Sequence, residues 1–532
     1  MSKNYNDQLI NPFTADLSRR QFVTTSLAAG IVLPTAMAMA GNAVASSPKK
    51  GGNFRLGMGH GSTTDSLDPG THENSMSQCV AFAYANNLTE VNKEGDLIPE
   101  LAVEYGASAD VKTWTFKIRT GVTFHDGKAL TPDDVVASFR FHMGEDSKSA
   151  GKALLKDVTN IAVNGNDVVF TLANPNANFP FIVSDYHFII LPVRDGQLDW
   201  ASGIGTGGYV IESYEPGVRA KFYRNTDYWK QDSAHFDKVE MLSILDVTAR
   251  QNAMMNGEVD AIGKVDLKTL HLLERNPNLN ILETTGTLHY TFPMRCDAPP
   301  FDNYDFRMAC KLSVDREELV EKILSGHGAI GNDTPISTAN AYHNSDLAQR
   351  SYDPDKAAYH LKKAGYDGSN VQLSASDAAF NGAVDAALLI KESAAKSGLK
   401  IEVVREPKDG YWSNVWNKKP WGACYWGGRP TEDWMFTAAY MADGEWNDTA
   451  WRTGASVERF NKLVVLGRAE VDLDKRREIY YECQVLVNDD GGALIPMFAN
   501  HVHALSKKLA HGTVAANWEM DGAKAIERWW FA

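Results

Sequence analysis

The sequence predicts a mixed α/β fold, because strand-like and helix-like segments alternate along the chain. Period-two alternation of apolar and polar residues over Trp114–Arg119 indicates a half-buried strand. Thr131, followed by Pro132 and two aspartates, is typical of a helix start. Later segments continue this alternation, and neither an internal repeat nor a long linker interrupts it.

Length and composition exclude several classes of protein. At about 150 residues per domain, a chain of 532 residues suggests two to four domains. The 44% hydrophobic and 23% charged residues exclude a disordered chain. The 53 basic and 67 acidic side chains give a net charge of -14, which argues against a nucleic-acid partner. The 5 cysteines are widely spread and form no CxxC pair, so we expect no structural zinc.

The first 45 residues predict a cleavable export signal of the twin-arginine type. Arg19 and Arg20 precede a moderately apolar stretch, and Ala43-Val44-Ala45 matches a signal-peptidase site. The apolar stretch is too short to cross a bilayer, and Gly30 interrupts it. We therefore expect a mature protein that begins near Ser46 and lies outside the cytoplasmic membrane, in the periplasm.

Several further elements follow from apolar spacing and from capping residues. Phe54–Met58 is predicted to be a strand, and the polar loop 59–70 after it lies where open α/β sheets bind ligands. Residues 306–324 are predicted to form one amphipathic helix. Residues 456–471 and 474–488 are predicted to form two successive helices.

Motif searches indicate no catalytic residue, metal site or cofactor. The glycine-rich turn 203–208 lacks the lysine of a phosphate-binding loop and leads into a strand. The chain contains neither a G-x-S-x-G nucleophile turn nor an HExxH motif. His501 and His503 share one face of a predicted strand, but no third ligand lies near them in the sequence.

Tryptophans are concentrated in residues 411–452, which contain seven of the 13 in the chain. These rings could build a hydrophobic core, or they could line a binding site. Gly427, Gly428 and Pro430 favour a loop in the middle of the cluster, which would bring Arg429 close to exposed rings. A guanidinium beside ring faces suits a ligand with a carboxylate at one end and an apolar or cationic body.

The order of several motifs resembles the extracytoplasmic solute-binding proteins of peptide, nickel and opine ABC importers. The segments that carry the resemblance are Pro99–Ala102, Thr113–Arg119, Gly121–Gly127, Leu130–Val136, Gly205–Tyr209, Asn225–Trp229, Asn256–Asp260, Pro300–Asp302 and Tyr352–Pro354. The family implies two α/β lobes joined by a hinge that close over a ligand. Its pattern puts lobe one at 46–290, with an inserted subdomain at about 80–215, lobe two at 291–498, and a C-terminal return at 499–532.

The resemblance also implies which residues contact the ligand. In peptide-binding relatives, the stretch that matches Trp426–Phe436 carries an aspartate that receives the α-amino group of the peptide; here that position is Arg429. This change reverses the charge and predicts a carboxylate-bearing or zwitterionic ligand: peptide-like, opine-like, derived from an amino acid, or betaine-like. The expected ligand contacts are Arg429, Trp426, Trp434, Tyr425, Gly427 and Asp433 from lobe two, with Tyr84, Thr63 and His60 from lobe one.

The predicted function is therefore a monomeric periplasmic receptor that delivers a small solute to an ABC permease and its ATPase in the inner membrane. It is not predicted to be an enzyme. Two alternatives remain open at this point. A secreted hydrolase of small peptides would need a positioned nucleophile or carboxylate pair. A protein that presents its ligand to a chemoreceptor would have the same sequence features.

Overall fold

The computed structural model describes residues 47–408, 410–429, 431–444 and 446–532. The predicted twin-arginine signal, residues 1–45, lies outside the described residues. Helices and strands alternate through the described chain, which confirms the mixed α/β class. In that part of the chain, no helix combines the length and apolar character needed to cross a bilayer.

The described chain divides into two compact units. The first comprises the described residues up to Val265, together with Leu270–Leu282 and Val502–Ala532. The second comprises Asp266–Thr269 and Glu283–His501. Apart from the short segment Asp266–Thr269, the chain passes between units near residue 283 and near residue 501, whereas the family pattern puts the corresponding domain boundaries at 290 and 498. Those domain boundaries stay predictions.

The first unit is built on a seven-stranded sheet. Its order is Tyr209–Glu215, Arg219–Arg224, Lys238–Ser243, Asn53–Met58, Ala261–Ile262, His501–Ser506 and Leu279–Thr284. The predicted first strand is confirmed as Asn53–Met58, and it pairs in parallel with both of its neighbours. Its alternate side chains Phe54, Leu56 and Met58 are fully buried, so apolar packing fixes the register of this strand.

A four-stranded antiparallel sheet forms within the same unit. Its order is Ala102–Ala107, Thr113–Ile118, Asp167–Leu172 and Val158–Asn164, and the helix Pro132–Met143 packs on it. The predicted start of that helix is confirmed, because Thr131 and Asp134 form a reciprocal capping box. The other helices of this unit are Ser75–Tyr84, Phe179–Ile182, Val247–Met255, Leu270–Glu274, Glu519–Gly522 and Ala525–Arg528.

The glycine-rich turn 203–208 is explained by a close approach of two backbone segments. A side chain at Gly205 would lie 2.1 Å from the carbonyl oxygen of Tyr84, and one at Gly207 would lie 2.4 Å from its carbonyl carbon. The backbone N–H of Gly207 also donates to the Tyr84 carbonyl at 2.9 Å. The glycines therefore have a packing role, as the tight-turn interpretation predicts.

The second unit contains a four-stranded sheet and a parallel strand pair. The sheet order is Gly328–Ile330, Met497–Ala499, His289–Thr291 and Cys424–Trp426, and the pair is Val371–Ala375 with Ile401–Arg405. Helices of this unit are Tyr304–Leu312, Arg316–Ile323, Pro354–Lys363, Ala383–Ala395, Tyr411–Asn414, Glu432–Ala439, Ala455–Ala469 and Leu473–Asp489. The last two confirm the predicted pair of successive helices.

The prediction of a single helix over 306–324 is wrong. Two helices, Tyr304–Leu312 and Arg316–Ile323, replace it. Ser313 closes the first helix, and the side chain of Asp315 caps the second by accepting a hydrogen bond from the Glu318 backbone N–H at 3.0 Å. The apolar period continues through both helices, so periodicity alone did not reveal the break.

A buried ionic network joins distant segments of the first unit. Its members are the carboxylates Glu90, Glu100 and Glu527 and the cations Lys230, Lys524 and Arg528. Glu90 contacts all three cations, at 2.5 Å from Lys230, 3.0 Å from Lys524 and 2.7 Å from Arg528. Burial by itself would raise the pKa of Glu90, but the three cations outweigh that effect and lower the pKa well below its ordinary value of 4.5.

Glu90→Gln should lower the free energy of unfolding by about 3 kcal/mol at pH 7, because it leaves buried cations with one carboxylate fewer. The stabilisation from ionised Glu90 is present above pH 4.5 and is lost as the pH falls toward its lower folded pKa, so the deficit of the variant should shrink in that range. Urea denaturation at pH 7 and pH 4 measures both values. Glu94→Gln, an exposed control, should change little, and an equal Glu90→Gln deficit at both pH values would contradict the prediction.

Candidate functional site

An aromatic cluster lies in the second unit and consists of Trp412, Trp416, Tyr425, Trp426 and Trp446. The ring of Trp412 lies 5.6 Å from Tyr425 and 5.9 Å from Trp416. Trp426 lies 6.3 Å from both Trp416 and Trp446. Trp412 is 40% exposed and Trp446 is 37% exposed, so the cluster presents aromatic surface to solvent. Exposed aromatic surface of this kind marks binding sites.

Local structure brings these rings together. The short helix Tyr411–Asn414 carries Trp412, and the strand Cys424–Trp426 carries Tyr425 and Trp426. That strand pairs antiparallel with His289–Thr291. It ends at Trp426, and the chain leaves the sheet through a loop before the helix Glu432–Ala439 begins. The predicted interruption of the aromatic segment by a loop is therefore confirmed for the described residues of that loop.

Arg429 lies in this loop and is partly buried. The central carbon of its guanidinium lies 5.7 Å from the centroid of the Trp426 ring, in cation–π geometry. Its Nη1 donates to the backbone carbonyls of Gly427 at 3.2 Å and Gly428 at 3.1 Å. Burial and the charge of Arg429 lower the pKa of His289 to about 4, so that neighbouring imidazole is neutral at pH 7. The loop therefore offers a positive charge beside an aromatic face.

Asp448 lies behind the aromatic cluster. Its Oδ2 accepts hydrogen bonds from the indole N–H groups of Trp416 at 2.9 Å and Trp426 at 3.2 Å. Only 3% of Asp448 is exposed, and this burial raises its pKa to about 6 against the effect of the two indole donors. One carboxylate thus joins two rings of the cluster.

Three of the predicted contacts in this unit are buried, and one of them is Trp426, which is only 5% exposed. Trp434 is 6% exposed, on the helix Glu432–Ala439 that Thr431 caps. Asp433 is 3% exposed, and its carboxylate forms an ion pair with the Arg468 Nε at 3.1 Å. The structure therefore gives Asp433 a partner within the protein, which a reading of the loop sequence could not anticipate.

In the first unit, His60 belongs to a polar cluster at the ends of two strands. Its Nδ1 accepts from the backbone N–H of Ser75 at 3.2 Å, and the Ser75 hydroxyl donates to Glu519 at 2.7 Å. Its Nε2 lies 2.5 Å from the Nζ of Lys264. Burial and the charge of Lys264 lower the pKa of His60 to about 3. Lys264 is an exposed residue, but burial of its amino group lowers the pKa of Lys264, and the nearby Glu519 carboxylate opposes that change.

The other two predicted contacts in the first unit differ from each other. Thr63 lies in the exposed loop after the first strand, as predicted. Tyr84 is fully buried within the hydrophobic core of the unit, and its hydroxyl has no hydrogen-bond partner among the described residues. Its side chain therefore has no surface exposed to a ligand in this structure.

Sequence reasoning missed Lys264, Ser75, Glu519 and Asp448. Lys264 could have been found, because it follows the strand Ala261–Ile262 just as His60 follows Asn53–Met58, and these two strands are parallel neighbours. Ser75 and Glu519 are 444 residues apart, and no local signal links them. Asp448 lies in an irregular segment whose sequence pattern does not distinguish it.

Residues 96–448 match the family described as bacterial extracellular solute-binding proteins, family 5 Middle. The chain belongs to this family. Among its relatives is the glutathione-binding protein GsiB of Pectobacterium atrosepticum, 27% identical over 353 residues that cover 64% of this chain and 67% of that protein. Another is the di/tripeptide-binding protein 1 of Pseudomonas aeruginosa, 24% identical over 81% of this chain and 86% of that protein.

Solved structures of this family share the fold. AgaA from A. tumefaciens R10 in complex with agropinic acid has a TM-score of 0.78 at 22% identity, covering 90% of this chain and 99% of that one. DppA from Helicobacter pylori in complex with the peptide STSA has a TM-score of 0.79 at 19% identity, covering 91% and 98%. The family fold is thus the two-lobed periplasmic binding protein fold, and this chain is a solute-binding protein of the kind that serves ABC importers.

Asp433→Ala should lower the free energy of unfolding by about 3–5 kcal/mol, because the Arg468 guanidinium would stay buried without its carboxylate. Urea denaturation measures this loss. Glu478→Ala, which removes an exposed carboxylate from the helix Leu473–Asp489 of the same unit, should change stability by no more than about 0.5 kcal/mol. An unchanged stability of Asp433→Ala would show that the ion pair has no structural role and would favour a ligand contact.

Proposed function

We propose that this family 5 protein captures a small zwitterionic or carboxylate-bearing solute, with Arg429 receiving the carboxylate. The observation that carries the proposal is the guanidinium of Arg429 beside the ring of Trp426, within a cluster that has exposed aromatic surface. A guanidinium binds a carboxylate through two parallel hydrogen bonds, and ring faces pack an apolar or cationic body. Tyr425 and Gly427, which are partly exposed, would supply the ligand surface around Arg429, and the buried Trp426 ring would support the guanidinium from behind.

The charge at position 429 supports an acidic group and opposes an ammonium group at this point. A peptide α-ammonium beside a partly desolvated guanidinium would be repelled, whereas a carboxylate would be attracted. The relatives named above bind glutathione or small peptides, and AgaA was solved with agropinic acid, which is an acid by name. Peptide-like, opine-like, amino-acid-derived and betaine-like solutes all belong to the proposed class.

In the first unit, His60 and Thr63 are proposed to contact the ligand, together with Lys264. Lys264 is an exposed residue whose amino group lies beside His60, and it would interact with a second acidic or polar group of the solute. Trp434, Asp433 and Tyr84 are less suited to direct contact, because each is buried, and the same holds for Trp426, which is 5% exposed. The buried Asp433 already holds Arg468.

The proposed receptor acts outside the cytoplasmic membrane. Arg19, Arg20 and the Ala43-Val44-Ala45 site support export through a twin-arginine signal into the periplasm. Ligand capture would use the hinge closure that the family implies, and an ABC permease and its ATPase would receive the solute. Native mass spectrometry of freshly purified mature protein, followed by calorimetric titration of any co-purified small molecule, tests this proposal. A ligand without an acidic group would contradict it.

Arg429→Ala should weaken binding of that co-purified solute by about 1.5–3 kcal/mol, because a hydrogen bond to a charged group is lost. Arg429→Lys should recover only part of the affinity, since an ammonium does not form the paired hydrogen bonds of a guanidinium. Isothermal titration calorimetry measures all three proteins. Arg405→Ala removes an exposed guanidinium from the same unit and should bind as the wild type does. Wild-type affinity in Arg429→Ala would refute the carboxylate contact.

A further inference from the structure

The carboxylate of Asp448 connects segments that are distant in the sequence. Trp416 precedes the strand Cys424–Trp426, Trp426 ends that strand, and Asp448 lies more than twenty residues later. Both indole N–H groups donate to the same oxygen, Oδ2, at 2.9 Å and 3.2 Å. An indole N–H can only donate a hydrogen bond. Each ring can therefore form its hydrogen bond to Asp448 in only a narrow range of orientations.

The segment that carries Asp448 is itself held firmly. The side-chain amide of Asn447, which is fully buried, donates to the backbone carbonyls of Tyr440, Met441 and Trp451 at 3.3 Å, 3.1 Å and 3.2 Å. Its oxygen accepts from the hydroxyl of Thr449 at 2.8 Å. The backbone next to Asp448 is therefore anchored by hydrogen bonds that do not involve the rings.

The groups that face Asp448 are neutral near pH 7. They are the indole N–H groups of Trp416 and Trp426, the thiol of Cys424 on the adjacent strand, and the hydroxyl of Tyr440 that follows the helix Glu432–Ala439. Burial raises the pKa of both the Cys424 thiol and the Tyr440 hydroxyl well above their ordinary values. Ionisation of Asp448 is therefore the change in charge among these groups between pH 5 and pH 7.

We propose that Asp448 is a positioning residue for the ligand-binding aromatic cluster, in which its ionised carboxylate sets the orientation of Trp416 and Trp426. The exposed rings Trp412 and Trp446 pack against these two rings. The orientation of the exposed rings therefore depends indirectly on the same carboxylate. The role of the cluster in binding rests on the proposed function, whereas the positioning of the rings is a property of the protein alone.

Protonation of Asp448 should loosen this arrangement. Hydrogen bonds to an ionised acceptor are roughly twice as strong as those to a neutral one. The two hydrogen bonds from the indole N–H groups therefore weaken when the carboxylate takes up a proton. Burial raises the pKa of Asp448 to about 6, which puts the change between pH 5 and pH 7. The aromatic surface should then become less ordered in mild acid.

An ionised Asp448 also makes the fold less stable than a neutral group would. Its folded pKa is raised above the value of 3.8 that it has when unperturbed, so the folded protein binds this proton more tightly than the unfolded chain does. Protonated Asp448 therefore contributes to the free energy of unfolding in full below pH 3.8, and this contribution is lost as the pH rises through about 6. Titratable groups whose pKa values are shifted by burial are concentrated at functional sites.

Two-dimensional NMR of the ligand-free mature protein with ¹⁵N-labelled tryptophan tests the proposal directly. The indole N–H signals of Trp416 and Trp426, assigned with the variants Trp416→Phe and Trp426→Phe, should shift with one common midpoint near pH 6. In Asp448→Asn, whose amide oxygen can still accept both hydrogen bonds, the same signals should not titrate. Trp421 is a matched control, because its indole N–H donates to the backbone carbonyl of Phe292 at 3.1 Å.

Two outcomes would overturn the inference. One is the absence of a common transition for Trp416 and Trp426 between pH 5 and pH 7, or its persistence in Asp448→Asn. The other is a transition confined to these two indoles, with no response at the exposed Trp412 and Trp446, since the carboxylate would then not control the surface. A failure of the proposed function is distinguishable, because it would appear as unchanged solute affinity in Arg429→Ala and would leave this ligand-free titration as it is.

Discussion

A buried carboxylate that accepts two indole N–H groups is the constraint on which the candidate site depends. Asp448 joins Trp416 and Trp426, which come from separate segments, and the exposed rings of Trp412 and Trp446 pack on this pair. Aromatic pairs accept more than one packing geometry, whereas a hydrogen bond restricts both distance and direction. The aromatic surface beside Arg429 is therefore shaped by a polar atom that solvent does not reach.

The protein stabilises its buried carboxylates in two different ways. In the first unit, three cations surround Glu90, and they hold its pKa well below the ordinary value. At Asp448 the partners are neutral donors, and burial raises the pKa to about 6. Full charges replace the lost hydration of an ion more completely than indole dipoles do. Glu90 therefore stays ionised near pH 7, whereas the ionisation of Asp448 changes with pH in that range.

Two of the candidate ligand contacts are basic residues, although the chain as a whole carries a negative net charge. The protein carries a net charge of -14, so its overall field does not attract an anion. Arg429 in the second unit lies beside an aromatic ring, and Lys264 in the first unit lies beside His60 and near the Glu519 carboxylate. Binding of a carboxylate would thus depend on short-range contacts with these groups, which are less screened by salt when they are partly buried.

The sequence by itself determined the class of fold, the family, the positions of several helices and strands, and the loop that carries Arg429. These features depend on local patterns: apolar spacing, capping residues, turn-forming glycines, and motifs of neighbouring residues. It did not reveal the helix break at Ser313–Asp315, because the apolar period continues through both helices.

Only the tertiary structure decided which of the candidate residues are accessible and which are already paired. In the structure, Asp433 pairs with Arg468, Tyr84 is buried in the hydrophobic core of its unit, His60 contacts Lys264, and Asp448 lies behind the aromatic rings. The physical reason is that the burial and pKa of a side chain depend on partners tens or hundreds of residues away, whose distance in space no local pattern encodes.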